Sequence, residues 1–109
     1  MNFSVKTIPR FERELKRLAK KYVSLKVEYE KLIEKLEENP ELGTPLGNNL
    51  YKIRLAIKSK GKGKSSGARI ISYIKTTEGN IYLLTIYDKG EQTNISDKEI
   101  QSILNESCG

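Results

Sequence analysis

Residues 50–75 read LYKIRLAIKSKGKGKSSGARIISYIK and hold eight basic side chains, Lys52, Arg54, Lys58, Lys60, Lys62, Lys64, Arg69 and Lys75, with no acidic one. Glu41 and Glu78 are the nearest carboxylates on either side. Tyr51, Ile53, Leu55 and Ile57 alternate with Lys52, Arg54, Ala56 and Lys58, the period-2 pattern of a strand with one apolar face and one solvent face. Lys52 and Arg54 therefore point the same way, off the core. Residues 68–75, ARIISYIK, form a second β-rich run with Arg69 near its start. Between them KSKGKGKSSG combines glycine, serine and lysine, a composition that buries little, so 58–67 is expected to be a flexible basic loop. Its lysines, Lys58, Lys60, Lys62 and Lys64, with Lys75, are candidate contacts for a phosphate backbone. GKGKSSG lacks the spacing of a Walker A loop and is followed by a strand instead of a helix, which argues against a nucleoside triphosphate site.

The whole chain has a net charge of +6, less than the charge of this one segment, so the remainder is slightly acidic. Charge so one-sided makes a local field that attracts polyanions. A Gly/Lys loop can also be a plain solvated connection, and cations on one strand face a plain exposed edge. Three cations flanking one loop on adjacent strands nevertheless repel one another and ask for an anion.

Working outward, residues 2–8 alternate as a short strand that stops at Pro9. Phe11, Leu15, Leu18, Ala19 and Tyr22 then fall on one helical stripe, and Leu25, Tyr29, Leu32, Ile33 and Leu36 on a second, with Ser24 as N-cap. The short connection between the stripes predicts a helical hairpin lying on one sheet face, its aromatic residues in the core. Gly43–Asn49, GTPLGNN, reads as a turn-rich lead into the first basic strand. Ile81–Tyr87 is apolar enough for a strand buried on both faces. Ser96, Asp97, Lys98 and Glu99 form a capping box, with Ile95 and Ile100 placed as a staple, ahead of a short last helix. The expected order is β-α-α-β-β-β-α, an α+β domain with an antiparallel sheet.

With 109 residues and one cysteine, Cys108, a single domain over 1–109 with a tail at 106–109 is expected, with no disulfide framework and no metal site of the zinc-knuckle kind. Histidine is absent, which removes the Ser-His pair and the commonest metal ligand. No cofactor motif occurs. No apolar run reaches the length of a signal peptide or membrane span, so no membrane partner and a cytoplasmic location are expected.

The element order, the segment GTPLGNNLYKIRLAIKSKGKGKSSGARIISY and the ending IYLLTIYDKGEQTNIS resemble the RelE/HigB family of bacterial toxins from toxin-antitoxin pairs. The similarity covers nearly the whole chain, and KGKGKSSGAR is its most specific part. It implies a small basic α+β toxin that enters the ribosomal A site, contacts ribosomal RNA, cleaves mRNA there and is neutralised by a cognate antitoxin. By the same resemblance Lys52 and Arg54, Arg69, and Lys89 just past the last strand are functional, and Tyr87 could supply a phenol. Lys89 departs from the family pattern, which often has an arginine with a nearby tyrosine or histidine there.

The chemistry has its own logic. RNA cleavage by its own 2′-hydroxyl needs a proton acceptor, positive charge on the phosphorane and a donor for the leaving 5′ oxygen, but no metal or protein nucleophile. A lysine among cations holds its proton less tightly; Lys52 is the candidate base, Arg54 its neighbour and Arg69 the phosphate clamp. Two further classes compete: a toxin of the ParE branch acting on DNA gyrase, which need not keep these cations, and a nucleic-acid-binding module without catalysis, which the absence of histidine keeps open.

Overall fold

The computed structural model describes residues 3–60 and 67–107. The chain opens with β1 (Ser4–Thr7), which stops where Ile8, in extended geometry at φ −119°, precedes Pro9 at the start of α1 (Pro9–Lys21). Proline disfavours helical geometry in the residue before it and suits the first helical turn, so both events fall at one peptide. The helix buries Phe11 and Leu18, and α2 (Leu25–Glu38) buries Leu25, Leu32 and Leu36. Phe11 is fully buried, and the half-buried Tyr29 packs against it with ring centroids 5.9 Å apart, on the faces the stripes predict. Ser24 stands at the N-cap of α2 without capping it. Its hydroxyl instead lies 3.0 Å from Glu28 and 2.9 Å from the Ser59 hydroxyl.

The following elements are β2 (Thr44–Gly47), β3 (Leu50–Leu55), a 3₁₀ turn (Lys58–Lys60), β4 (Ala68–Lys75), β5 (Asn80–Asp88) and α3 (Asp97–Ser107). The α+β class holds. The sheet order is β1-β5-β4-β3-β2, with every pair antiparallel except β1 with β5, which is parallel. This corrects the all-antiparallel expectation, and the cause is the short strand β2 inside the segment read as a turn. A chain that reverses at each connection gains one reversal from that strand, which flips β5 relative to β1. All four residues of β2 are exposed, so they show no alternation to read. The legible signal was the Asn48-Asn49 pair, both at positive φ (53° and 65°), the requirement of a two-residue hairpin turn.

β4 and β5 are interior strands, and β5 is buried along nearly its whole length. Ile53, Ile70 and Ile86 are register partners across β3, β4 and β5 and are all at most 2% exposed. They join the helix stripes in one core. β1 pairs β5 only as far as Leu83; beyond it Glu14 of α1 takes over, accepting from the Thr85 hydroxyl at 2.7 Å and the Ile86 N–H at 3.3 Å. At α3 the Ser96 hydroxyl accepts the Glu99 N–H at 3.1 Å, one arm of the expected capping box, and Ile95 and Ile100 of the staple are buried. The Glu99 carboxylate binds Arg10 of α1 at 3.0 Å. Among the described residues no helix is long and apolar enough to cross a membrane.

Candidate functional site

Side chains directly opposite in neighbouring strands share a sheet face. Arg54 pairs with Arg69, and Arg69 with Tyr87, so these three form one row across β3, β4 and β5, adjoining the Ile53-Ile70-Ile86 row that points the other way. Lys52 is two residues before Arg54 and shares its face. The fold thus brings Lys52, Arg54, Arg69 and Tyr87 together, and the strand alternation that sends isoleucines to the core is what delivers them. Leu50, on the same face, lines a cleft with Asp97, Ile100 and Gln101, so α3 covers one end of it.

The members of the row differ in exposure. Arg54 is exposed, Lys52 is half-buried, and Arg69 and Tyr87 are each 5% exposed. The Arg69 guanidinium donates to the Ala68 carbonyl at 3.1 Å. Burial first, and then the facing Arg54, hold the Arg69 guanidinium below its ordinary value, with Tyr87 opposing. Burial pushes the Tyr87 phenol up, and its hydroxyl has no hydrogen-bond partner among the described residues. Like charges directly opposite on antiparallel strands destabilise a sheet. An anion of two or more oxygens at this row would relieve both guanidiniums.

Lys52 donates from Nζ to Asn94 Oδ1 at 2.9 Å, and Lys89 donates from Nζ to the Thr93 carbonyl at 2.6 Å. Lys89 also joins the end of β5 to the start of β4, its N–H meeting the Gly67 carbonyl at 3.0 Å. Gly67 is required there: a Cβ would run into the Leu55 carbonyl oxygen, and the close approach seats β4 against the end of β3.

Lys58 is exposed, and its N–H donates to Glu28 Oε2 at 2.6 Å, so α2 anchors the root of the basic loop. Lys62 and Lys64 lie outside the described residues, as does the side chain of Lys60. Lys75 sits six residues along β4 from Arg69, about 20 Å at strand rise, and pairs with Glu78 at 3.3 Å; the fold does not bring it to the row. Sequence reading missed Lys31 and Lys35 of α2, which border a groove of about 460 Å³ with Lys52, Arg54 and Lys58. Their four-residue spacing on the outer helix face was the available signal.

Among the described residues the chain is a small α+β domain, a mixed five-stranded sheet with three α-helices, that carries a row of cations, from the exposed Arg54 to the buried Arg69, on the sheet face away from the isoleucine core. The model of the RelE toxin of the RelE/RelB toxin-antitoxin system matches residues 9–107. The chain belongs to the RelE toxin family. Its fold is similar to that of a free double arginine-to-alanine mutant of the Escherichia coli toxin RelE, at TM-score 0.65 and 15% identity over 97% of both chains. The isolated E. coli RelE toxin gives TM-score 0.56 at 16% identity over 95% of this chain and 98% of that one. The RelBE2 toxin-antitoxin complex of Mycobacterium tuberculosis contains a chain at TM-score 0.60 and 17% identity, covering 81% of this chain and 99% of that chain.

Proposed function

We propose that this toxin cleaves mRNA in the ribosomal A site, with ribosomal RNA held by the surrounding lysines, and that a cognate antitoxin neutralises it. The observation that carries the reading is the Arg54-Arg69 register pair with Lys52 on the same face: two facing guanidiniums are a cost in the free protein and an asset on a phosphorane. The solved M. tuberculosis relative is a toxin-antitoxin complex, which supports the antitoxin partner.

In this reading the ribosome bends the message so that the 2′ oxygen lies in line with the scissile phosphate. Lys52 takes the 2′ proton, Arg69 with Arg54 neutralises the phosphorane, and a cation past β5, Lys89, protonates the leaving 5′ oxygen. Tyr87, the register partner of Arg69 on β5, offers a phenol to the same row. No metal ion takes part, and orientation by the ribosome offsets weak acid-base groups, since alignment alone is worth several kcal/mol. Induced expression is expected to stop leucine incorporation at once while thymidine incorporation continues. Loss of thymidine uptake with translation intact would instead indicate a gyrase target.

A further inference from the structure

The segment that joins β5 to α3 is braced on two sides. Toward α1, Asp88 Oδ2 accepts from the Tyr22 hydroxyl at 2.5 Å, and Glu91 pairs with Arg17 at 2.7 Å and Lys21 at 3.1 Å. Within the segment, Asp88 Oδ1 accepts the Gly90 N–H at 2.8 Å, and the Asp88 carbonyl accepts from the Glu91 and Gln92 N–H groups, each at 3.0 Å. Gln92 Nε2 donates to the Asn94 carbonyl at 2.9 Å. Toward the sheet, Asn94 Oδ1 accepts from Lys52 Nζ at 2.9 Å. The turn is thus fixed to a helix at one end and holds the proposed base at the other.

We infer that Asn94 is a positioning residue for Lys52, aiming its amine at the substrate's 2′-hydroxyl. The inference rests on the nuclease reading. An ammonium only donates, so the amide presents Oδ1 to it. A neutral amine still has N–H groups to donate, so the same bond persists before and after proton transfer while restricting rotation of Nζ and hence the direction of its lone pair. The acceptor is uncharged, which suits a base better than a carboxylate would. A carboxylate would hold the ammonium form and cancel charge meant for phosphate. Among the described residues, the charged groups that face Lys52 are Arg54 on its own strand and Arg69 on β4, with Glu28, Lys31 and Lys35 of α2 and Lys58 across the groove it lines; Glu91, on the segment after β5, is turned to Arg17 and Lys21 of α1.

Asn94→Leu and Asn94→Asp separate position from charge. Both substitute an exposed side chain. Single-turnover cleavage on programmed ribosomes is measured across pH, with ribosome affinity measured alongside. For Asn94→Leu the maximal rate is expected to fall roughly 10- to 100-fold, the scale of a small misplacement of a reacting group, with affinity nearly unchanged. For Asn94→Asp the base limb of the profile is expected to move to higher pH. A wild-type chain that leaves the message whole overturns the nuclease reading and this role with it. An active wild type whose rate equals that of Asn94→Leu, and whose base limb equals that of Asn94→Asp, overturns the positioning role alone.

Discussion

Lys52 and Arg69 stand on adjacent strands yet ask different things of their surroundings. A base must be able to give up its proton, whereas the phosphate clamp must keep all of its donors, which is why one position suits lysine and the other arginine. Lys52→Ala is expected to slow single-turnover cleavage about 10²- to 10³-fold, and Lys52→Arg is not expected to restore it, because guanidinium cannot take the proton; cleavage of ribosome-bound message by each variant decides this. Gly43 is a second sensitive residue. Its φ of +104° strains any side chain, and a Cβ there would stand 2.5 Å from the Lys52 carbonyl oxygen. Gly43→Ala is expected to cost about 1–3 kcal/mol in urea unfolding by forcing β2 away from β3 directly behind Lys52. Lys52, Arg54 and Arg69 were legible because charge and strand period coincide in one short run. Asn94 was not, since a lone amide in a polar turn carries no periodicity, and only the folded chain places it against a residue forty-two positions earlier.

At the level of elements, the helix stripes, the staple of α3 and the buried β5 were all legible, because apolar periodicity records burial. β2 left no trace in that periodicity, having no buried residue, so only its Asn48-Asn49 turn could have shown it, and its omission alone turned a parallel pair into an antiparallel one. The facing arginines of β3 and β4 give a test that joins stability to function. Arg54→Thr removes the repulsion and suits a strand, so it is expected to raise stability by about 0.2–1 kcal/mol while cleavage falls; the urea midpoint and the rate are to be measured on one sample. Between α1 and α2, burial, with Glu12 adding, pushes the Tyr29 phenol up to about 12. A phenol raised on folding contributes stability that is complete below its ordinary value of about 10 and lost as pH rises toward about 12. The urea midpoint should therefore decline over that alkaline window, and Tyr29→Phe should remove that part of the decline.

For the molecule as a whole, the charge of +6 is not one uniform field. Arg17 and Lys21 are committed to Glu91 and hold its carboxyl below the usual range, and Lys75 is committed to Glu78. The cations of the β3–β4 face and of the basic segment are the ones proposed to meet RNA. Replacing Lys60, Lys62 and Lys64 by alanine should flatten the salt dependence of ribosome binding by roughly 0.7–0.9 in slope for each phosphate no longer neutralised; an unchanged slope in co-sedimentation would assign these lysines to solvent. The most direct measurement concerns Arg69 during cleavage. On programmed ribosomes stabilised with polyamine in EDTA, the wild type should leave a 2′,3′-cyclic phosphate, and Arg69→Ala should cleave about 10²- to 10³-fold more slowly with a smaller loss of affinity. A 3′-hydroxyl product, or an Arg69→Ala protein that cuts at the wild-type rate, would contradict a phosphorane held by Arg69.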